Sequence, residues 1–285
     1  NLPRIAVVAS EDTPGAAGTV ATNLSTLGAK TVAVLGVVGN DGHGFELLSS
    51  LRGRKIETDL LIQHSGVPTF TYTKLINKVT GIEDKPRVDF VLTDDLPSDV
   101  QEQVCARLRE YAANFDLICV SDQAETEYGG VVTGAVRDVL ASVAREKTVW
   151  VDSRRRVELF RNAVLKVNHL EAAEARERCE SAPLSAVRAT AAAPVLFVTH
   201  GGNGVQMFTE SGETWLVTRA VPDPVDICGA GDGFTAGAAC AFALGASPES
   251  AARLGHLVAS VTIMKKGTGY ALPEEVLEAE EHWDA

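Results

Sequence analysis

The feature that most constrains the fold is a series of near-continuous apolar runs separated by helix-length segments. Strands without apolar–polar alternation are typical of parallel sheets that helices cover on both faces. Five runs have this character: "TVAVLGVVG" (31–39), "DLICVSD" (116–122), "TVWVDS" (148–153), "AVLKVN" (163–168) and "VLFVTH" (195–200). Helices are predicted at 17–28, 42–55, 97–114, 129–146, 170–191, 230–245 and 248–266. This order predicts an α/β fold with a doubly wound, mostly parallel sheet whose ligand site lies at the carboxyl ends of the strands.

One region departs from this pattern and predicts a small antiparallel sheet. Apolar and polar residues alternate in "TFTYTKLI" and in "RVDFVL", with turn residues between them, as in strands that have one wet face. Together with "RIAVVAS" near the start, these segments predict a β lid over the ligand site. The predicted division is therefore 3–11 and 60–92 for the lid, and 12–59 and 93–285 for the α/β core.

Composition narrows the classes of partner. The chain has 285 residues, 45% of them hydrophobic, and a net charge of −12 without a basic stripe, which argues against nucleic acid as a partner. Its apolar runs fall far short of the roughly 20 residues of a membrane span. No export signal opens the sequence, and five widely spaced cysteines contain no CxxC pair. We therefore expect a cytoplasmic protein with no membrane partner, no disulfide framework and no zinc site.

The stretch "VDICGAGDGF" (225–234) places small residues just before a predicted helix. A helix N-terminus carries unpaired N–H groups and the positive end of the helix dipole, so Gly229, Ala230 and Gly231 would let a phosphate approach closely. A phosphate would repel Asp232 unless that carboxylate accepts the proton of an attacking hydroxyl. The alternative is a glycine turn followed by an ordinary first-turn carboxylate, and the spacing alone favours neither.

Two strand ends carry further candidates. In "VLKVNHLEAAE", Asn168 and Glu171 fit a capping box, and they also fit a pair that orders water around Mg2+ on nucleotide phosphates. In "FVTHGGNGV", Gly201, Gly202 and Gly204 either form a hairpin turn or let the backbone approach a flat ligand such as a nucleotide. Both alternatives stay open at each place, although the second motif taken alone favours a turn.

The segment "DTPGAAGTVATNLSTLGA" repeats the small-residue pattern, with Gly15 and Ala16 before a helix. Two such helix starts in one doubly wound domain predict transfer geometry, with a phosphate donor at one and an acceptor near the other. Asp122 ends the run "DLICVSD" and so belongs at the predicted crevice. It is a candidate for substrate contact.

Together these motifs resemble the signatures of the ribokinase, or PfkB, family of carbohydrate kinases. "DICGAGDGFTAG" is similar to the family pattern D-T-x-G-A-G-D-x-F-x-x-G. Four further segments resemble the family in the same order: "PGAAGTVATNLSTLGAKTVAVLGVVGNDGHG", "LKVNHLEA", "FVTHGGNGV" and "GTGY". The resemblance spans Pro14 to Tyr270. It implies a ribokinase-like fold with a β lid, ATP-dependent phosphorylation of a sugar hydroxyl, and a homodimer formed through the lid.

The resemblance also implies roles for individual residues. Asp232 would be the catalytic base, and the amides of Gly229, Ala230 and Gly231 would stabilise charge in the transition state. Asp226 would bind K+ or order the water molecules around Mg2+. Glu171 would also order water around Mg2+. The residues implied in nucleotide binding are Asn168, Glu171, Thr199, Gly201, Gly202 and Gly204.

On the substrate side, Gly15, Ala16 and Thr19 stand where the family usually has G-G-A-x-N. Here Ala16 replaces the second glycine and Thr19 the sugar-binding asparagine. "TYTKLI" and "RVDF" resemble the branch of heptose-phosphate kinases, which implies that Lys74 and Arg87 meet a phosphorylated or acidic sugar while Asp89 accepts from its hydroxyls. Because the family has a core strand with a sugar-binding aspartate before the lid strand, we expect an N-terminal piece in the full protein.

The leading hypothesis is therefore an ATP-dependent sugar kinase. One alternative keeps the chemistry and changes the acceptor to a nucleoside or another small alcohol. A second alternative is a non-catalytic sugar or nucleotide sensor of the same fold. A nicotinamide-dependent dehydrogenase is disfavoured, because no G-x-G-x-x-G follows the first strand.

Overall fold

The computed structural model describes residues 4–125, 129–218 and 220–283. The strands of this part of the chain are β1 (Gly36–Gly39), β2 (Leu61–His64), β3 (Thr71–Thr73), β4 (Val88–Phe90), β5 (Leu117–Asp122), β6 (Thr148–Ser153), β7 (Val164–Asn168), β8 (Leu196–Thr199), β9 (Val205–Thr209) and β10 (Gly212–Leu216). The α-helices are α1 (Gly15–Thr26), α2 (Gly42–Gly53), α3 (Ser98–Tyr111), α4 (Gly134–Val143), α5 (His169–Arg178), α6 (Leu184–Thr190), α7 (Ala230–Ala243), α8 (Pro248–Thr262) and α9 (Pro273–Glu281). Short 3-10 helices lie at Ala112–Asn114, Val157–Leu159 and Gly201–Asn203.

A six-stranded sheet forms the centre, in the order β10-β9-β8-β7-β6-β5. Strands β5 to β8 are parallel, whereas β9 and β10 continue the sheet as an antiparallel hairpin. Strands β1 and β2 form a separate parallel pair, and β3 and β4 form a small antiparallel pair. The prediction of an α/β fold with a mostly parallel sheet and a small antiparallel sheet is confirmed.

Two core clusters cover the faces of the central sheet. Trp150, Phe197 and Met207 pack with α7 and α8 on one side, where Trp150 and Phe197 stack with ring centroids 4.9 Å apart. Val151 and Leu165 face a second cluster that includes residues of α3, α4 and α5. These strands are buried on both faces, which explains why their sequences show no alternation.

Helices α7 and α8 approach each other closely through glycines. A Cβ at Gly237 would lie 2.8 Å from the Val258 side chain, and one at Gly255 would lie 2.8 Å from the Ala238 Cβ. The helix that carries Asp232 is therefore held against α8 by backbone contacts that larger residues would prevent.

The five predicted apolar runs all contain strands, but other parts of the prediction differ from the structure. Strand β2 was expected in the lid, yet it pairs with β1, because its Ile62 is buried in the core. Residues 4–14, which include "RIAVVAS", contain no strand. The predicted helix 170–191 is divided by Glu180 and Ser181, whose φ values of 54° and 63° no helix tolerates. The division into lid and core stays a prediction.

Among the described residues, no helix combines the length and the apolar composition that crossing a bilayer requires.

Candidate active site

Asp232 lies in the first turn of α7, directly after a left-handed turn. Gly229 is the N-cap of this helix, with φ 81° and ψ 3°. A side chain there would be strained and would also lie 3.2 Å from Thr268, which approaches from the "GTGY" segment. The left-handed conformation of Gly229 thus lets α7 begin at Ala230, with Asp232 in its first turn. This arrangement places the positive end of a helix dipole next to a carboxylate.

Two charged residues of the central sheet lie beneath that first turn. Lys166 of β7 and Asp152 of β6 are paired in register, and the Nζ of Lys166 donates to Oδ2 of Asp152 at 2.7 Å. Thr235 of α7 donates to the same oxygen at 3.3 Å. Both charged side chains are buried. Sequence reasoning missed them, although one residue of each sign in two adjacent buried strands is a signal that could have found the pair.

Burial raises the pKa of Asp232 to about 7, and the negative charge of Asp152 acts in the same direction. The positive charges of Lys166 and Arg154 oppose this rise. A carboxyl group with a pKa near neutrality is suited to accept a proton and release it again.

Asn168 and Glu171 form the capping box of α5. The Asn168 side chain accepts from the N–H groups of Leu170 and Glu171 at 2.9 Å each, and Glu171 Oε2 accepts from the Asn168 N–H at 2.8 Å. Burial raises the pKa of Glu171 as well. Asn168 is also paired in register with Thr199 at the end of β8, so three predicted nucleotide-binding residues meet at one edge of the sheet.

The three glycines of "FVTHGGNGV" form the turn between β8 and the antiparallel β9. A side chain at Gly202 would lie 2.6 Å from the Ala220 Cβ, and one at Gly204 would lie 2.2 Å from the Leu216 carbonyl oxygen. Gly201 and Gly204 both have positive φ, at 58° and 127°. The segment therefore forms a hairpin turn, and its glycines are explained by the close approaches at Gly202 and Gly204 and by the positive φ of Gly201 and Gly204. Contact of this turn with a nucleotide stays a prediction.

Asp226 ties two loops together. Its carboxylate accepts from the N–H of Cys228 at 2.9 Å and from the N–H of Gly267 at 3.1 Å. The structure thus brings the loop before α7 to the loop after α8. Among the described residues no cluster of three metal-ligating side chains is present, so a cation here needs water, backbone or ligand oxygens as partners.

At the start of α1, Gly15 has a φ of 69° and turns the chain into the helix with Ala16 as its second residue. Thr19 is buried, and its hydroxyl donates to the Gly15 carbonyl oxygen at 2.9 Å. This hydroxyl therefore serves the helix rather than a ligand in this conformation. Asn23 is fully buried; it donates to the carbonyl oxygen of Gly269 in "GTGY" and accepts from the N–H of Ala271 directly after it, which joins α1 to the loop beside Gly229.

The predicted lid residues share one face of the β3–β4 pair. Arg87 and Asp89 form a bidentate ion pair with both contacts at 2.7 Å, and the Arg87 guanidinium lies 4.6 Å from the centre of the Tyr72 ring. Burial raises the pKa of Tyr72, the negative charge of Glu125 acts in the same direction, and the positive charge of Arg154 opposes the rise, so this face lies near the loop that follows β6. Lys74 is exposed just after β3.

Asp122 is a structural residue in this conformation. Arg156 donates to both of its carboxylate oxygens, and Ser153 donates to one of them at 2.7 Å. The residue is only 2% exposed. This geometry leaves no oxygen of Asp122 open to the crevice and argues against the substrate contact that the strand end predicted.

The described geometry thus brings the Asp232 carboxyl group, the N-terminus of α7 and the capping box of α5 to the carboxyl edge of the sheet. Such a site can bind phosphates at α7 and take a proton from a hydroxyl beside them. Comparison with known proteins identifies the family. Residues 9–275 match the family described as pfkB family carbohydrate kinase. The chain belongs to the PfkB family of carbohydrate kinases.

Similar proteins include the Bifunctional protein HldE of Trichlorobacter lovleyi, 29% identical over 275 residues and 93% of this chain. The HldE protein of Caulobacter vibrioides is 31% identical over 287 residues and 96% of this chain. The alignments cover 54% and 57% of these two relatives, so the chain spans about half the length of the relatives it matches.

Solved PfkB-like structures share the ribokinase-like fold. Ribokinase from Thermotoga maritima superposes with a TM-score of 0.71 at 18% identity, over 94% of this chain and 87% of that one. Fructokinase from Xylella fastidiosa with bound ATP gives 0.69 at 18% identity, over 94% and 90%. Phosphofructokinase-2 from Escherichia coli in complex with potassium gives 0.70 at 15% identity, over 94% and 86%.

Proposed function

We propose that this chain transfers the γ-phosphoryl group of ATP to a hydroxyl of a sugar or sugar phosphate. The observation that carries the proposal is the position of Asp232, whose pKa is raised to about 7, in the first turn of the helix that Gly229 begins. A base and an anion-binding helix end are the two groups that phosphoryl transfer to an alcohol needs side by side.

In the proposed step, the acceptor oxygen attacks the γ-phosphorus and Asp232 takes the hydroxyl proton. A bond forms between this oxygen and phosphorus, and the bond to the bridging oxygen breaks, so ADP leaves with the electron pair. The amides of Gly229, Ala230 and Gly231 would stabilise the negative charge on the transferred group. Protonated Asp232 then releases its proton to solvent when the product leaves.

The residues present fit ATP with Mg2+. Glu171 is a partly buried carboxylate at the start of α5, and a single protein carboxylate is compatible with an ion that keeps several waters and binds mainly to phosphates. The ATP molecule would be held by Asn168, Glu171 and Thr199 and by the turn of Gly201, Gly202 and Gly204. The candidate site for K+ is Asp226 together with the loop at Gly267, whose N–H donates to the Asp226 carboxylate. Potassium is the ion in the complex of phosphofructokinase-2 from Escherichia coli, which makes K+ the first monovalent cation to test.

The acceptor we propose is a phosphorylated sugar. Arg87 on the lid and Arg154 after β6 are exposed enough to receive an anion, and each is now paired with a carboxylate, Asp89 and Glu125 respectively. A phosphate could replace either carboxylate as the guanidinium partner. Lys74 adds a third cation at the same lid, while Asp89 would accept from sugar hydroxyls. The heptose-phosphate branch of the family is the first group of acceptors to test.

An acceptor panel tests this proposal. Wild-type protein is incubated with ATP, Mg2+ and single acceptors: free hexoses, hexose phosphates, heptose 7-phosphates and nucleosides. Products are detected by mass spectrometry and ADP by a coupled assay. We expect phosphorylation of a sugar phosphate in preference to its free sugar. Phosphorylation of a nucleoside alone would replace the acceptor class, and ATP binding without any product would favour a sensor.

We also propose a cytoplasmic homodimer that forms through the lid, since ATP is the donor and the β3–β4 connection carries exposed apolar side chains. Val79 is 93% exposed and Ile82 63% exposed in this connection. Val79→Asp should shift the mass measured by light scattering toward the monomer, whereas Thr80→Asp in the same turn should not. A monomeric wild-type protein would contradict the dimer.

A further inference from the structure

Lys166 is a charged residue in a place where charge is costly. It lies in the third of five positions of β7, between the fully buried neighbours Leu165 and Val167, and is itself 4% exposed. Its strand partner Asp152 is 6% exposed. Buried ion pairs contribute little net stability compared with apolar residues of the same size. Stability alone therefore does not explain why this pair lies beneath α7.

The position of the ammonium supplies an explanation. A Cβ at Gly231 would lie 3.0 Å from the Nζ of Lys166, so the ammonium reaches the backbone of the residue just before Asp232. Asp152 holds it there from below, and Thr235 joins Asp152 to the next turn of α7. The small residues at the start of α7 thus let the Lys166 ammonium approach their backbone from the sheet, and they would let a phosphate approach it from the solvent side.

The charges around Asp232 come from four elements. Asp152 of β6 is negative, Lys166 of β7 and Arg154 after β6 are positive, and Glu171 of α5 faces Lys166. Helix α1 packs on α7 without any ionisable side chain. Asp122 of β5 is paired with Arg156, while Arg253 of α8 pairs with Glu280 and His256 packs on Trp283. Lys166 is therefore the buried cation that offsets the carboxylates beneath the site.

We propose that Lys166 is a positioning residue for phosphoryl transfer: held by Asp152, it stabilises the ionised form of Asp232 and fixes the first turn of α7. This inference rests on the proposed role of Asp232 as the base. Without the ammonium, burial and Asp152 would both favour protonated Asp232, which has no capacity to accept the proton of the acceptor.

Three variants test the inference through the pH dependence of kcat/KM. The acid limb is the part of the profile in which kcat/KM declines as the pH falls and Asp232 is protonated. Lys166→Met should move this limb to higher pH by about one pH unit or more, because the offsetting cation is removed. Asp152→Asn should move it downward, because a carboxylate is removed while the cation remains. The double variant, which lacks both charges, should lie between the two. Lys147→Met removes a lysine before the amino end of β6, where Nζ donates to the Ala113 carbonyl oxygen, and should leave the limb unchanged.

A measurement without turnover keeps the inference separate from the proposed function. Protein labelled with 13C at the aspartate carboxyl carbons is titrated by NMR, and the Asp232 signal is assigned by its loss in Asp232→Asn. The same opposite shifts are expected in this titration. If they occur in a protein that phosphorylates no acceptor, the electrostatic role stands and the proposed kinase function fails.

A purely structural role predicts a different result. It would lower kcat by a similar factor at every pH in both single variants and would leave the Asp232 titration in place, which would overturn the inference. If Lys166→Met does not fold, Asp152→Asn and the double variant still decide the matter. Asp232 must titrate at lower pH in Asp152→Asn than in the double variant, and equal values would overturn the inference.

Discussion

The ammonium of Lys166 lies close against the backbone at position 231, with Nζ only 3.0 Å from where a Cβ at Gly231 would lie. Two contacts therefore restrict the start of α7 to small residues: Thr268 lies against Gly229, and Lys166 lies against Gly231. The buried ion pair of Lys166 and Asp152 supports the turn from the side of the sheet.

We expect kcat/KM to decline below about pH 7, approaching a tenfold loss per pH unit, because Asp232 must be unprotonated to act as the base. The pKa of this carboxyl group is raised, so its protonated form already accumulates just below neutrality. The measurement is kcat/KM from pH 5 to pH 9 with the preferred acceptor. A profile that stays flat down to pH 5 would contradict a base with this pKa.

Arg156→Met should lower the free energy of unfolding by about 3–5 kcal/mol, because it leaves the buried carboxylate of Asp122 without its cation. Side-chain exposures of 7% for Arg156 and 2% for Asp122 make water a poor substitute. Urea unfolding measures the change. Arg155→Met is the matched control, since the Arg155 side chain is 52% exposed, and it should change the same quantity by less than about 1 kcal/mol. Equal effects of the two variants would refute the structural assignment of Asp122.

Gly237→Ala should destabilise the protein by about 1–3 kcal/mol, because the added methyl group would overpack the contact between α7 and α8. It would lie 2.8 Å from the Val258 side chain and 2.9 Å from the Leu254 carbonyl oxygen. Gly53→Ala at the end of α2 meets nothing within 4 Å and serves as the control. Thermal unfolding should separate the two variants; an unchanged Tm for Gly237→Ala would show that the two helices can move apart.

The strands of the sheet were predictable because each is a run of apolar residues buried on both faces. The start of α7 was predictable because a run of small residues directly before a helix-length segment is typical of a helix N-terminus. Prediction failed where tertiary contacts decide the outcome. Ile62 draws β2 into the core, although its surroundings alternate like a lid strand, and the β9–β10 hairpin and α9 were not predicted.

Within the site, sequence patterns located Asp232, Asn168 and Glu171 but not their electrostatic setting. Lys166 and Asp152 are 14 residues apart, and only the register between β6 and β7 reveals that they face each other. Asp122 shows the converse, because the strand-end position was predicted correctly while its partner Arg156 was not. A position at a strand end predicts that a side chain lies near the crevice. Whether that side chain can contact a ligand depends on the neighbouring side chains that bind it.

The most direct test of the account compares ADP release by Asp232→Asn with that by Asp138→Asn, an exposed aspartate of α4. Both proteins receive saturating ATP, Mg2+ and the preferred acceptor, and nucleotide binding is checked by calorimetry. We predict that Asp232→Asn binds ATP but loses at least about a hundredfold in kcat, as expected when a general base is removed, while Asp138→Asn retains wild-type turnover. Turnover within a few-fold of wild type in Asp232→Asn would contradict the central claim that this carboxylate takes the acceptor's proton.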